Sequence, residues 1–222
     1  MKTQKLKELV EKFGEKYSGI LGIDLSSGRD EEIFKWFLAS VLFGAPITES
    51  SVIRTYRCFE KYDVLTPRRL LKTGWDGLVK ILDEGSYTRY DFKTADKLLA
   101  VMQNLTEKYD GSLNLVHAKA SDKLDLEIRL KALGKGIGDV TVSIFLRELR
   151  GVWEKANPNP TSLEILAAKE LEIIKRDATA EDSLKQLKAF WTRNRVAGRS
   201  FVNFETALLR MGKDIRRKAK KH

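Results

Sequence analysis

Three alternating glycines, Gly134, Gly136 and Gly138, lie between two apolar runs in the stretch LGKGIGDVTVSIFLREL. Glycines let the backbone turn sharply and leave successive N–H groups accessible. A helix is predicted to begin at about Asp139, so its free amides and positive dipole end face the same point. A concavity of this kind holds an anion. A tight packing corner between two helices uses the same residues, so both interpretations stand on the local sequence alone.

The charge balance favours a polyanionic partner. Lys and Arg total 41 and Asp and Glu total 31, which gives a formal net charge of +10 over 222 residues. Such an excess attracts nucleic acids through long-range electrostatics. A solvated surface rich in Lys and Glu, as in proteins of thermophiles, has a similar composition. Nucleic-acid binding and thermophile-type solvation are therefore the two explanations of the charge.

Composition excludes several kinds of site. The single cysteine, Cys58, cannot form an internal disulfide or a four-cysteine zinc or iron–sulfur site, and the two histidines do not predict a metal centre. No apolar run approaches the roughly 20 residues that span a bilayer, and the N-terminus lacks the apolar core of a signal peptide. We expect a monomeric cytoplasmic protein, nucleoid-associated in a prokaryote, without a metal, cofactor or membrane partner.

The elements that position the glycine turn are predicted to be helices, because apolar residues recur with helical period and strand patterns are nearly absent. Asp30 is expected to cap the helix that follows it, and Thr161 to form a capping box with Glu164. Gly74 and Gly85 are each expected to end a short helix. The predicted helices cover 6–13, 31–43, 51–63, 66–74, 75–85, 91–111, 121–133, 140–149, 161–171, 181–194 and 200–212.

The stretch LKALGKGIGDVTVSIFLREL resembles the helix-hairpin-helix of the endonuclease III-like DNA glycosylases, whose turn has the form Leu-x-Gly-apolar-Gly. DEEIFKWFLASVLFGAPITESSVIRTYRCFEKY is similar to the helix–turn–helix that opens the helical core of that family. ILDEGSYTRYDFKTADKLLAVMQNL resembles its Gly-aromatic turn and the helix after it. The resemblance covers about Asp30 to Leu171.

The resemblance implies an all-α fold, a two-lobed helical bundle with the helix-hairpin-helix at about 123–149. It implies that 1–212 form one helical unit, in which the N- and C-terminal helices share a lobe. The basic run of residues 213–222 separately predicts a solvated tail that adds salt-dependent affinity for phosphate.

The resemblance also implies that the turn holds a phosphate of damaged double-stranded DNA, in some family members with a monovalent cation. Gly136 and Gly138 supply the amides, Ile137 packs the hairpin, and Lys135 adds a positive charge of its own. The implied phosphate-binding residues are Gly134, Lys135, Gly136, Ile137, Gly138 and Thr141. Such contacts position a protein on DNA and carry no base specificity.

A wedge and a base pocket are predicted beside this turn. Pro46 and Ile47 lie where the family inserts a wedge into the duplex, and apolar wedges are suited to unstacking bases. The sequence around Tyr87, Arg89 and Tyr90 interleaves aromatic rings with a cation, which suits stacking on a flipped base. Trp153 is a further candidate for this pocket. Packing of these aromatic rings in the core is the alternative.

The usual catalytic residues of the family do not carry over. Val140 stands where bifunctional members have the lysine that attacks C1′ of the deoxyribose, and 157–161, the stretch NPNPT, lies where most members have an aspartate. The cluster-binding cysteines are missing too, so no iron–sulfur cluster is expected. Asp139 and Lys155 are the candidate substitutes, as charge-stabilising carboxylate and amine. Their alternatives are a carboxylate that stabilises the helix N-terminus and a solvated loop lysine.

The resemblance thus implies a glycosylase of base excision repair, a hydrolase that releases a damaged base, here with non-standard catalytic residues. A relative that has lost catalysis and recognises lesions or junctions is the first alternative. A basic helical interaction module, for which RNA is as good a ligand as DNA, is the second. Whether strand cleavage follows base release stays open at this stage.

Overall fold

The computed structural model describes residues 3–219, which contain twelve α-helices and no β-strand. The all-α prediction is therefore confirmed. One 3₁₀ turn, Leu25–Ser27, precedes the third helix. The helices are α1 Thr3–Phe13, α2 Tyr17–Leu21, α3 Asp30–Phe43, α4 Glu49–Lys61, α5 Pro67–Glu84, α6 Asp91–Tyr109, α7 Leu113–Lys119, α8 Lys123–Lys131, α9 Asp139–Glu148, α10 Ser162–Glu170, α11 Ala180–Arg193 and α12 Phe201–Ala219.

The described chain divides into two compact units. One is formed by the residues up to Ile20 together with those from Pro158 onward, and the other is Leu21–Asn157. In the first unit, α12 packs against both α10 and α1. The segment predicted as a basic tail continues α12 as far as Ala219, and its last three residues lie outside the described range. The core of this unit includes Leu6, Val10, Ala167, Leu187, Trp191, Phe204 and Leu208.

The contact between α10 and α12 depends on Gly212. A Cβ atom at this position would collide with the backbone carbonyl of Leu163, which cannot rotate away as a flexible side chain could. We expect Gly212→Ala to destabilise the protein by about 1–3 kcal/mol, although alanine is the better helix former. Urea unfolding measures the change.

The matched control is Gly19→Ala, because Gly19 also lies in a helix but its added Cβ would meet nothing within 4 Å. This variant is expected to be neutral or slightly stabilising. Equal stability of the two variants would contradict the close approach at Gly212.

The second unit is built around α3, which is buried on nearly all sides. A helix that is apolar all round is typical of a core position. α3 packs against α4, α7 and α9. The indole Nε1 of Trp36 donates a hydrogen bond of 3.0 Å to the backbone oxygen of Phe145 and so links α3 to α9. This link joins the middle of α3 to the second half of α9.

Local signals set most helix boundaries. Thr161 and Glu164 form the predicted capping box at the start of α10, and α9 begins at Asp139 as predicted. The two helices predicted over 66–85 are the two parts of α5, which is broken at Gly74, where φ is 68° and ψ is 177°. Only glycine adopts such a conformation readily.

Asp30 and the two short helices α2 and α7 differ from the sequence-based prediction. Asp30 is the first residue of α3 and not its cap, because its carboxylate accepts a hydrogen bond of 3.0 Å from the backbone N–H of Asn114 in α7. α7 was not predicted, since its seven residues are too few to show a helical period. Ser112 caps it by accepting a hydrogen bond from the N–H of Leu115.

Candidate nucleic-acid interface

The glycine turn connects α8 to α9 and has exposed backbone donors. Ile137 is buried and its N–H donates to the Gly134 oxygen over 3.1 Å, which closes the turn. Gly138 precedes the first residue of α9 and has no side chain with which to cap the helix. Within residues 3–219, the N–H groups of Gly136 and Gly138 have no protein acceptor. The turn can therefore donate hydrogen bonds to an anion.

The three positions of the turn differ in whether the fold requires glycine there, and why. A Cβ at Gly134 would lie 2.6 Å from Cγ2 of Val101, so this glycine lets the turn pack on α6. Gly136 has a φ of 90°, which other residues rarely adopt. Gly138 is extended, with φ −108°, and an added Cβ would meet nothing within 4 Å. Folding alone therefore does not require glycine at position 138.

A pocket of about 690 Å³ lies beside the turn. Its volume is typical of ligand sites. The pocket is lined by the turn after α3, by one face of α6 and by the glycine turn. The pocket thus brings together three of the predicted segments. Its lining residues include Gly44, Pro46, Tyr90, Lys93, Asp96, Lys97, Lys135 and Gly136.

Lys97 lines this pocket and is not among the site residues predicted from the sequence. Partial burial removes water from its ammonium group and lowers the pKa of that group below its ordinary value. Its Cε would lie 2.7 Å from a Cβ placed on Gly136, so its side chain runs along the glycine turn. Within residues 3–219 its Nζ forms neither an ion pair nor a hydrogen bond. At a given pH a larger fraction of this amine is therefore unprotonated than for an ordinary lysine.

The sequence does show that several of the α6 residues that line the pocket share one face of the helix. Lys93, Lys97 and Ala100 are separated by four and three residues, which places them on one side of α6. The sequence could not show which side of α6 faces the turn, because that depends on packing against a segment distant in the chain.

Two residues of the predicted base pocket, Tyr87 and Trp153, are buried and do not line the pocket beside the turn. Tyr87 is 1% exposed and its hydroxyl donates a hydrogen bond of 2.7 Å to the Leu42 oxygen. Trp153 stacks on His117 at 4.8 Å, and its Nε1 donates to the Asn114 side chain. Neither ring presents a free face to a base, so the core interpretation holds for both.

The side chain of Thr141 is also buried, and it lies against Gly44. A Cβ at Gly44 would collide with its hydroxyl, so the end of α3 packs tightly on the first turn of α9. The hydroxyl does not face solvent, which differs from its predicted place among the phosphate-binding groups. The side chain positions α9 and thereby the amides of the turn.

The remaining wedge and pocket residues are accessible. Pro46 is exposed and lines the pocket, while Ile47 is half-buried and its N–H donates to the Ala45 oxygen over 2.8 Å. Tyr90 lines the pocket, and the Arg89 guanidinium lies 5.6 Å from the centre of its ring. The cation and the aromatic ring predicted from the sequence are thus adjacent in space.

The two predicted catalytic substitutes do not line the pocket. The Asp139 side chain is 88% exposed and pairs with Lys131. Lys155 donates a hydrogen bond of 2.9 Å from its Nζ to the His117 oxygen. An exposed carboxylate is screened by water and stabilises a nearby cation weakly. The structure therefore does not bring Asp139 and Lys155 together with the pocket residues.

The stretch 157–161 offers no free carboxylate near the pocket either. The Asn157 amide oxygen accepts a hydrogen bond of 2.5 Å from the Arg150 guanidinium, and Thr161 belongs to the capping box of α10. Val140, which stands in the place of the family's lysine, is exposed at the start of α9.

Over residues 3–219, no cluster of three or more His, Cys, Asp or Glu side chains could hold a metal ion. In the same range no helix has the length and apolar character needed to cross a membrane. The chain matches no protein-family model, and its sequence matches no curated protein.

Proposed function

We propose that this protein is a DNA-repair glycosylase of the helix-hairpin-helix type, which binds damaged duplex DNA and excises a modified base with non-standard catalytic residues. The observation that carries the proposal is the pocket shared by Pro46, Tyr90, Lys97 and Gly136. A base-releasing enzyme needs a phosphate contact, a group that unstacks the duplex and a cavity for the base. The pocket has candidates for all three on adjacent segments.

Each segment has a separate part in this proposal. The amides of Gly136 and Gly138, with the ammonium of Lys135, hold a backbone phosphate. Pro46 enters the opened base step, and Tyr90 contacts the extruded base. Phosphate contacts fix the position of the duplex, and the pocket shape then decides which base enters.

Lys97 replaces Asp139 and Lys155 as the candidate catalytic group. A lysine with a lowered pKa in a partly desolvated pocket is an effective nucleophile. The lone pair of its nitrogen attacks C1′ of the sugar, and the electron pair of the broken glycosidic bond leaves with the base, which takes up a proton. The new ammonium then gives up one proton, its nitrogen lone pair expels O4′ from C1′, and O4′ takes up a proton to become a hydroxyl. This leaves a protonated imine between Lys97 and C1′.

A catalytically inactive DNA-binding protein is the second candidate function. Asp96 is the one acidic residue among those that line the pocket, and its carboxylate accepts a hydrogen bond from Trp75. One oxygen of this carboxylate is thus already engaged, and no second acidic side chain among the described residues lines the pocket to stabilise a positively charged sugar. A binding protein that recognises lesions needs no such group.

A panel of duplexes, each with one modified base, distinguishes the two functions. Single-turnover reactions are scored for strand cleavage before and after treatment with alkali. Base release from one or more duplexes supports the glycosylase, and borohydride trapping reveals an imine. Binding without release from any duplex favours the inactive protein.

The contribution of Lys135 is predicted to be purely electrostatic. Lys135 is exposed beside the turn, so Lys135→Ala is expected to lower the slope of log affinity against log salt by about 0.9, the value for one neutralised phosphate. Affinity should fall equally for damaged and undamaged duplexes. Fluorescence anisotropy over a range of salt concentrations measures the slope, and an unchanged slope would remove Lys135 from the DNA contact.

A further inference from the structure

Trp75 and Phe92 form an aromatic pair on the surface of the second unit. Trp75 follows the break of α5 at Gly74, and Phe92 is the second residue of α6. Their ring centres are 5.1 Å apart, with the planes at 43°. Trp75 is 39% and Phe92 is 56% exposed. Two large adjacent apolar side chains left in water indicate an interaction surface.

The pair is held in a fixed arrangement. The Nε1 of Trp75 donates a hydrogen bond of 2.9 Å to the Asp96 carboxylate. Asp96 lies four residues after Phe92 on α6, so all three groups share one region of the surface. Because the only polar atom of the indole is already bonded, the ring faces are what remains for a partner.

The charges next to the pair define the partner. Asp96 also lines the pocket, together with Lys93 and Lys97. A protein partner that covered the two rings would have to bring counter-charges for these ammonium groups. Unpaired DNA has both kinds of group in one chain, because its bases offer flat apolar faces and its phosphates pair with lysine.

We propose that Trp75 and Phe92 bind unpaired DNA bases by stacking, as a second base-binding site outside the pocket. Such a site holds single-stranded DNA next to the point where the duplex opens. The proposal goes beyond the proposed function, because stacking on these rings requires no release of a base.

The tryptophan fluorescence of the unmodified protein reports directly on this site. The other three tryptophans, Trp36, Trp153 and Trp191, are 0%, 4% and 6% exposed, so Trp75 is the accessible one. Titration with a single-stranded oligothymidylate is expected to quench part of the emission. Trp75→Phe should abolish that quenching and keep most of the affinity, since phenylalanine also stacks.

Affinity variants test the stacking itself. Phe92→Ala and Trp75→Ala are expected to weaken binding of the oligothymidylate about tenfold or more. The control is Tyr62→Ala, which removes another ring that is 49% exposed and hydrogen-bonded to Glu84. Circular dichroism verifies that each variant keeps its helices.

Three outcomes overturn the proposal: no binding of the oligothymidylate, no quenching of Trp75, or equal affinity of Phe92→Ala and Tyr62→Ala. Failure of the proposed function has a different signature. If no modified base is released but Phe92→Ala still weakens single-strand binding, the stacking site stands without the glycosylase. If bases are released and Phe92→Ala binds the oligothymidylate normally, the glycosylase stands without the stacking site.

Discussion

Lys97→Met is expected to abolish borohydride trapping on a lesion duplex and to slow single-turnover base release on the order of a hundredfold, the loss typical of one catalytic group. Methionine keeps the length and the apolar stem of lysine, so the packing of α6 along the glycine turn is retained. The amine that would form the imine is removed. Trapping followed by electrophoresis measures the first effect, and quenched single-turnover reactions measure the second.

Two further variants control this experiment. Asp139→Asn removes an exposed carboxylate and Lys155→Met removes an amine bonded to a backbone oxygen, and neither side chain lines the pocket. Both variants should release the base at nearly the rate of the unmodified protein. Full activity of Lys97→Met would show that Lys97 is not the catalytic amine, and a large loss in Asp139→Asn would show that this carboxylate takes part in the reaction.

The pH dependence of trapping follows from the same lysine. Burial lowers the pKa of Lys97, so at any given pH a larger fraction is unprotonated than for an exposed lysine. Trapping should rise with pH through that lowered pKa, with a midpoint below that of an ordinary lysine. A midpoint equal to that of an ordinary lysine would assign the reaction to an exposed amine.

Gly138→Leu is expected to weaken duplex binding about tenfold to a hundredfold and to change the free energy of unfolding by no more than about 1 kcal/mol, the cost of a poorer helix N-cap. Position 138 is extended and open, so a leucine fits without strain in the protein. The side chain would stand where a phosphate approaches the amides at the start of α9. Loss of hydrogen bonds to a charged group costs about 1.5–3 kcal/mol, which corresponds to this range of affinity.

Fluorescence anisotropy with damaged and undamaged duplexes tests this prediction, and urea unfolding verifies the stability. Gly19→Leu is the control, because Gly19 also has open space around its Cβ but lies far from the turn in the sequence and in the other unit. Unchanged affinity in Gly138→Leu would show that the turn is a packing corner. Gly136 is less suitable for this test, since its φ of 90° makes any substitution strained.

The sequence by itself determined the helical class and many of the helix ends. These features depend on residues close together in the chain: the periodic apolar positions, the Thr161–Glu164 capping box and the backbone freedom of Gly74. The glycine turn was visible for the same reason, because it consists of neighbouring residues. Local chemistry of this kind acts before any tertiary contact forms.

Only the tertiary structure decided which side chains line the pocket. Tyr87 and Lys97 both lie in stretches that mix aromatic, polar and charged residues. The Tyr87 hydroxyl nevertheless donates to the buried Leu42 oxygen, whereas the Lys97 side chain runs along Gly136. Both side chains are placed by contacts with Leu42 and Gly136, which lie more than 30 positions away from them in the sequence. A helical period shows which residues share one face of a helix, but contacts between distant segments decide what that face packs against.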